Sequence, residues 1–199
     1  MRTHVISKRP EHLNWSQLPA ATIDHLLWTP EVNISATAQI CYDENALYLH
    51  LSAKERHIKA EYTGRLDEPC NDSCLEFFFS PVPGDNRYFN IEFNFNLCMY
   101  LGLGDGNGNL FRLLPEEENS FEPKAIRTED GWELTYRVPF AFIRIFFPEF
   151  SVESGKRIRA NFYKCGDETV QPHYLAWNRV TSETPAFHRP CDFGELVFE

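Results

Sequence analysis

The sequence has no apolar run approaching the roughly 20 residues that a membrane-spanning helix requires. Basic charge is also in short supply. Lys and Arg number 19 against 29 Asp and Glu, leaving a net charge of −10 and a pI near 5.2. That balance argues against nucleic acid and against an anionic membrane as main partners. The opening MRTHVISKRPEHLNW contains no continuous apolar segment, so no export signal is read there. A cytoplasmic setting is expected, or an extracytoplasmic one if a leader has been removed.

Paired cysteines are missing as well. None of the 6 cysteines (41, 70, 74, 98, 165 and 191) falls in a Cys-x-x-Cys pair, and Cys70 and Cys74 have no second pair to match them. Structural zinc is therefore not expected, and reduced, mostly buried thiols are. There is no Gly-x-Ser-x-Gly elbow and no Cys–His signature, which leaves a hydrolase triad without a basis. His50 and His173 fall in strand-like segments and read as structural. Methionine is limited to Met1 and Met99, too few for a haem sandwich that draws on a Met/His axial pair. Long amphipathic helices are absent too: only PFAFIRIFF (139–147) looks helical, entered and ended by prolines. Without helices to cover a parallel sheet, βαβ architectures are excluded.

What the sequence does hold is aromatic residues, 15% of the chain with 17 phenylalanines, arranged with period two. Short runs rich in Val, Ile, Phe and Tyr alternate with Pro, Gly, Asn and Asp clusters, the signature of strands and turns. Strands are predicted over about 21–28, 34–42, 46–53, 73–80, 87–97, 124–128, 132–138, 158–165, 173–177 and 194–198. Tyr42–Ala46 is a turn, and residues 102–123 form a long Gly- and Glu-rich connection. The expectation is one all-β domain over residues 1–199, an antiparallel β-sandwich of jelly-roll or immunoglobulin-like kind. About ten strands and one short helix would build it, the helix closing one end of the core.

Separating each strand into its two faces carries the argument toward function. In YFNIEFNFNL, Phe89, Ile91, Phe93, Phe95 and Leu97 share one face, and Tyr88, Asn90, Glu92, Asn94 and Asn96 share the other. DSCLEFFFS sets Leu75, Phe77 and Phe79 against Asp72, Cys74, Glu76 and Phe78. RIRANFYKC sets Ile158, Ala160 and Phe162 against Arg159, Asn161 and Tyr163. An ordinary solvated sheet face would also be polar. Planar Asn and Glu groups beside aromatic plates, however, suit a neutral polyhydroxylated ligand, whose hydroxyl pairs and C–H faces they match.

Two alternatives use the same residues. Glu76 and Glu92, on adjacent strands, are the pair a glycoside hydrolase would use, although an open sheet offers little enclosure to tune them. The same face would also serve as a docking surface for a partner protein. No cofactor or metal is expected. Calcium has a partial motif in Asp105, Asn107, Asn109 and Glu116, but Leu110 replaces the turn glycine and Pro115 interrupts it.

In order along the chain, DSCLEFFF, YFNIEFN, RANFYKCG, PHYLAWN and PAFHRPCDFG resemble the signatures of carbohydrate-binding module family 9-like domains. The likeness runs from about Trp28 to Phe198. It implies a β-sandwich and a non-catalytic role in binding a gluco- or xylo-oligosaccharide or polysaccharide, of the kind met in xylan and cellulose breakdown. By motif, Glu76 corresponds to a sheet-face carboxylate that accepts hydroxyl hydrogen bonds. Asn161 and Tyr163 lie on the neighbouring strand, Phe187 takes the place of one aromatic plate, and His188 stands at the rim. Glu92 and Trp177 complete the candidate set, Trp177 as a further stacking group. The sequence departs from the family pattern at the other plate, where Pro69 and Cys70 stand in place of a tryptophan.

Overall fold

The computed structural model describes residues 1–115 and 118–199. Its strands are β1 (Thr3–Lys8), β2 (Ala21–Ile23), β3 (His25–Leu26), β4 (Ser35–Tyr42), β5 (Ala46–Lys54), β6 (Cys74–Ser80), β7 (Tyr88–Asn94), β8 (Met99–Gly104), β9 (Leu110–Arg112), β10 (Lys124–Arg127), β11 (Gly131–Pro139), β12 (Arg157–Gly166), β13 (His173–Ala176) and β14 (Gly194–Phe198). One short helix, α1 (Phe140–Phe146), follows β11.

The strands form a curled sheet folded into two facing layers, a β-sandwich. One layer runs β10-β11-β5-β4, with β2 on the far edge of β4. The other runs β14-β12-β6-β7-β8-β9, with β13 on β12 and β3 on β13. β1 joins them: Thr3–Ile6 pairs with β14, and Ser7–Lys8 pairs with β4. Both of its ladders are parallel, whereas all other ladders among the described residues are antiparallel. The all-antiparallel expectation is corrected at this one strand. As the first strand it has no preceding hairpin to dictate its direction.

Among the described residues, fourteen strands replace the expected ten or so. The run 21–28 is split into β2 and β3, and the 102–123 connection contains part of the β8–β9 hairpin. The glycines that disguised β8 are required by crowding. A Cβ on Gly102 would lie 1.9 Å from Asn90 Oδ1, and one on Gly104 would lie 2.2 Å from the Tyr88 ring. Strand glycines thus mark where side chains of β7 lean across β8. The tip of the hairpin is closed by Asp105, which accepts from the amides of Asn107 (2.8 Å) and Asn109 (3.0 Å). Glu116, the fourth member of the calcium pattern, lies outside the described residues.

The inward parities pack as predicted. Leu75, Phe77 and Phe79 of β6, Phe89, Ile91 and Phe93 of β7, and Ile158, Ala160 and Phe162 of β12 meet Leu47, Leu49 and Leu51 of β5 and Trp132, Leu134 and Tyr136 of β11. α1 closes one end, placing Phe142 and Phe146 against Phe89.

One charged cluster crosses the interior between the layers. Lys164, fully buried at a core-facing position of β12, lies 3.2 Å from Glu55 Oε1. Trp132 Nε1 donates to the same oxygen (2.5 Å), and Ser73 Oγ donates to Glu55 Oε2 (2.9 Å). Lys164 also contacts His173 Nε2 (2.8 Å), while His173 Nδ1 meets the Gln171 carbonyl at 2.7 Å. An ammonium only donates, so Nε2 accepts and Nδ1 carries the proton. Burial, reinforced by Lys164, lowers the His173 pKa to about 4 and holds the ring neutral.

Candidate functional site

The outer face of the second layer, turned away from the main core, carries a cleft of about 210 Å³. Its floor is built from side chains that alternate outward on neighbouring strands. Glu76 and Phe78 rise from β6, Glu92 from β7, Tyr100 from β8 and Cys165 from β12. Trp28, Tyr174 and the segment Pro185–His188 form the walls.

Glu76 and Glu92 are direct register partners across β6 and β7, so their side chains leave the sheet side by side. Both are almost fully buried, at 2% and 6% exposure. Cys165 Sγ lies 2.8 Å from Glu76 Oε1, and Asn90 Nδ2 donates to Glu92 Oε1 (2.8 Å). Burial raises the Glu76 pKa to about 8. Burial and then the neighbouring Glu76 charge raise that of Glu92 well above the carboxylate range. Two adjacent buried carboxyls cannot both ionise cheaply, so at neutral pH the pair retains a proton. It therefore offers a donor and an acceptor side by side, which is what a pair of hydroxyls needs.

The sign of the pH dependence follows. Folded pKa values above the unfolded one stabilise the fold fully below about pH 4.5, and that contribution is lost as pH rises through about 8. The melting temperature, measured with chelator present, should fall between pH 5 and 9. Glu76→Gln should flatten that fall, and an equal fall in the variant would remove the pair as its cause.

The aromatic wall is held by unusually local constraints. Phe187 stacks on Tyr163 with centroids 4.1 Å apart and an interplanar angle of 13°, and Tyr163 Oη donates to the Phe187 carbonyl (3.2 Å). Trp28 packs beside it at 5.4 Å. Trp28 has φ of +55°, and the Thr29 amide bonds the Leu27 carbonyl at 2.7 Å. This tight turn is strained for a non-glycine residue, and the indole is pinned by its Nε1 donating to the Ser182 carbonyl (2.7 Å). The loop carrying Phe187 is cinched by Asp192, whose carboxylate accepts from the Thr181 amide (2.9 Å) and from Arg189 Nε (2.8 Å). Across the cleft, the Arg112 guanidinium lies 4.4 Å over the Tyr100 ring.

A family profile for Carbohydrate-binding family 9 matches residues 7–198. The chain belongs to that family. A protein from Bacteroides uniformis ATCC 8492, provisionally described as carbohydrate-binding, superposes with a TM-score of 0.84 at 26% identity, covering 100% of this chain and 99% of its own. A family 9 module from Caldicellulosiruptor kristjanssonii in complex with glucose superposes with a TM-score of 0.70 at 12% identity, covering 100% of this chain and 96% of its own. The same kind of module with cellotriose gives 0.69 at 12%, with 100% and 94% coverage. The two last likenesses speak for the fold. No curated protein matches the sequence.

Within this family 9 fold, four of the seven sequence-nominated residues, Glu76, Glu92, Phe187 and His188, line the cleft. The other three do not. Trp177 points into the main core, near Phe162 (5.8 Å): just past the end of β13 its amide still bonds the Phe162 carbonyl (2.9 Å), which continues the alternation and sets it opposite to the cleft-facing Tyr174. Asn161 is fully buried, donating to the Asn178 carbonyl (2.8 Å) and accepting from the Asn178 amide (2.8 Å). Tyr163 lies behind Phe187 as its support. The polar row of β7 is also divided. Asn90 holds Glu92, whereas Asn94 Nδ2 donates to Asp72 (2.8 Å) and serves the fold. Nor is this face solvated throughout: Phe78, Tyr88, Tyr163, Phe187 and Phe193 form a second apolar cluster upon it.

Sequence reasoning did not single out Trp28, Tyr100, Asp167, Tyr174, Cys70 or Cys165 for the cleft, all of which line it. Tyr174 had a legible signal, being on the parity opposite Leu175. Burial raises the Asp167 pKa, partly offset by its hydrogen bond with Tyr174.

Proposed function

We propose that this chain binds carbohydrate without transforming it, seating a gluco- or xylo-oligosaccharide unit in the cleft. The observation that carries this reading is the convergence of the Phe187 wall and the Glu76–Glu92 floor on one concavity. The carboxyl pair meets neighbouring hydroxyls, and an aromatic ring face meets a sugar's C–H face. Family membership supports the same class of ligand, as do relatives of the same fold in complex with glucose and cellotriose. Trp28, beside Phe187, and Tyr100 add further aromatic surface to the cleft.

Calorimetric titration with glucose, cello-oligosaccharides and xylo-oligosaccharides tests the proposal, and silence across the series would sink it. Phe187→Leu keeps apolar volume in the wall but removes the plate. It should weaken binding by about 1–2 kcal/mol, roughly five- to thirtyfold.

A hydrolase is less well supported. Glu76 and Glu92 rise together from one sheet face, whereas a glycosidase places its carboxyls on either side of the scissile bond. No reducing ends should appear when a bound oligosaccharide is incubated with the protein.

A further inference from the structure

At the cleft floor two donor residues of β6 and one of β12 come together: Glu76 and Cys165 line the cleft, and Cys74 is fully buried beside them. Cys74 and Glu76 are two residues apart on β6 and share its outer face. Cys165 of β12 is the register partner of Cys74. The two sulfurs and a Glu76 carboxylate oxygen all lie within 4.8 Å of one another. The three side chains are 0%, 1% and 2% exposed for Cys74, Cys165 and Glu76. Tetrahedral zinc with bonds of about 2.0–2.3 Å holds its donors roughly 3.5–3.8 Å apart, so the 2.8 Å contact between Cys165 Sγ and Glu76 Oε1 must open by about 0.7 Å on metal entry, and no separation need close by more than about 1.3 Å.

The surroundings favour a cation. Glu68, Glu92 and Asp167 also line the cleft, and the Arg112 cation, which does not line it, is already paired with Glu68 at 3.0 Å. The nearby Lys164 ammonium is directed to Glu55 on the other face of β12. Two sulfurs with one carboxylate oxygen suit a borderline-soft divalent ion better than calcium or magnesium, which take oxygen ligands.

We propose that Cys74, Cys165 and Glu76 form a site for one zinc-class divalent ion, with a fourth coordination position open to the cleft. Three protein ligands and an open position describe an accessible site rather than a closed structural one. Uptake by the protonated cluster releases the two thiol protons and the carboxyl proton to solvent as the metal bonds form, with no change of oxidation state. The site requires no sugar. With Glu76 occupied by metal, it also links metal uptake to whatever the cleft holds.

Titrating the reduced, sugar-free full chain with cobalt(II) tests the site. A thiolate-to-cobalt charge-transfer band should grow to saturation at one equivalent and disappear when zinc is added. Cys74→Ser and Cys165→Ser should each weaken uptake by more than about tenfold, whereas Cys191→Ser, at an exposed position, should leave it unchanged. X-ray absorption on the zinc-loaded natural sequence needs no variant. It should show two sulfur neighbours at about 2.3 Å, with lighter atoms completing the shell. Absence of the band, its persistence in the double serine variant, or a shell of oxygen alone would overturn the proposal. None of these outcomes depends on carbohydrate binding.

Discussion

Replacing Glu55 with alanine should destabilise the fold by about 3–5 kcal/mol, the usual cost of leaving a buried charge without its partner. Lys164 is fully buried, and Glu55 is the acid paired with it across the layers. The substitution would also leave Trp132 Nε1 and Ser73 Oγ without their shared acceptor, each a further loss for a buried donor. The neutral His173 ring accepts from Lys164 but brings no compensating charge. Urea unfolding at neutral pH measures the effect, and a loss below about 1 kcal/mol would show that solvent reaches the pair. Glu55→Leu with Lys164→Met gives the decisive contrast. Removing both charges together should recover most of the loss, because apolar replacement of a buried pair is often neutral or stabilising.

This cluster also marks the limit of what the sequence discloses. Lys164 shares parity with Phe162, so a lysine is written at an inward position and demands an acid. Which acid it meets depends on how β12 faces β5 across the sandwich, a contact between distant segments that periodicity does not encode. The strand faces were legible because one repeat of two residues fixes them. The β8–β9 hairpin was not, because Gly102 and Gly104 answer to the Asn90 and Tyr88 side chains of another strand.

The cleft shows the same division. Glu76 and Glu92 were legible as outward residues of adjacent strands, and their exact pairing is a matter of register. Trp28 was illegible because it reaches the cleft by a strained left-handed turn rather than by strand alternation. The Phe187 loop reads in sequence as two prolines around an aromatic residue. In the fold, Asp192 draws Thr181 and Arg189 together around it, and Tyr163 backs the ring.

Loss of the Glu76 carboxyl should be the largest single effect on carbohydrate binding. Glu76→Ala is expected to lower affinity about 5- to 150-fold, the equivalent of roughly 1–3 kcal/mol for leaving a ligand hydroxyl and the neighbouring buried carboxyl without their partner. The isosteric Glu76→Gln should lose less, since an amide still donates and accepts from the same place. It also removes the like charge that helps to raise the Glu92 pKa, leaving Glu92 freer to ionise and accept a hydroxyl proton. Glu76→Gln with Glu92→Gln removes both carboxyls and should bind more weakly than either single glutamine variant. Titration with the tightest oligosaccharide checks the order, while melting curves establish that each variant is folded. A folded Glu76→Ala with unchanged affinity would move the sugar away from the carboxyl floor, and binding would then rest on the aromatic wall alone.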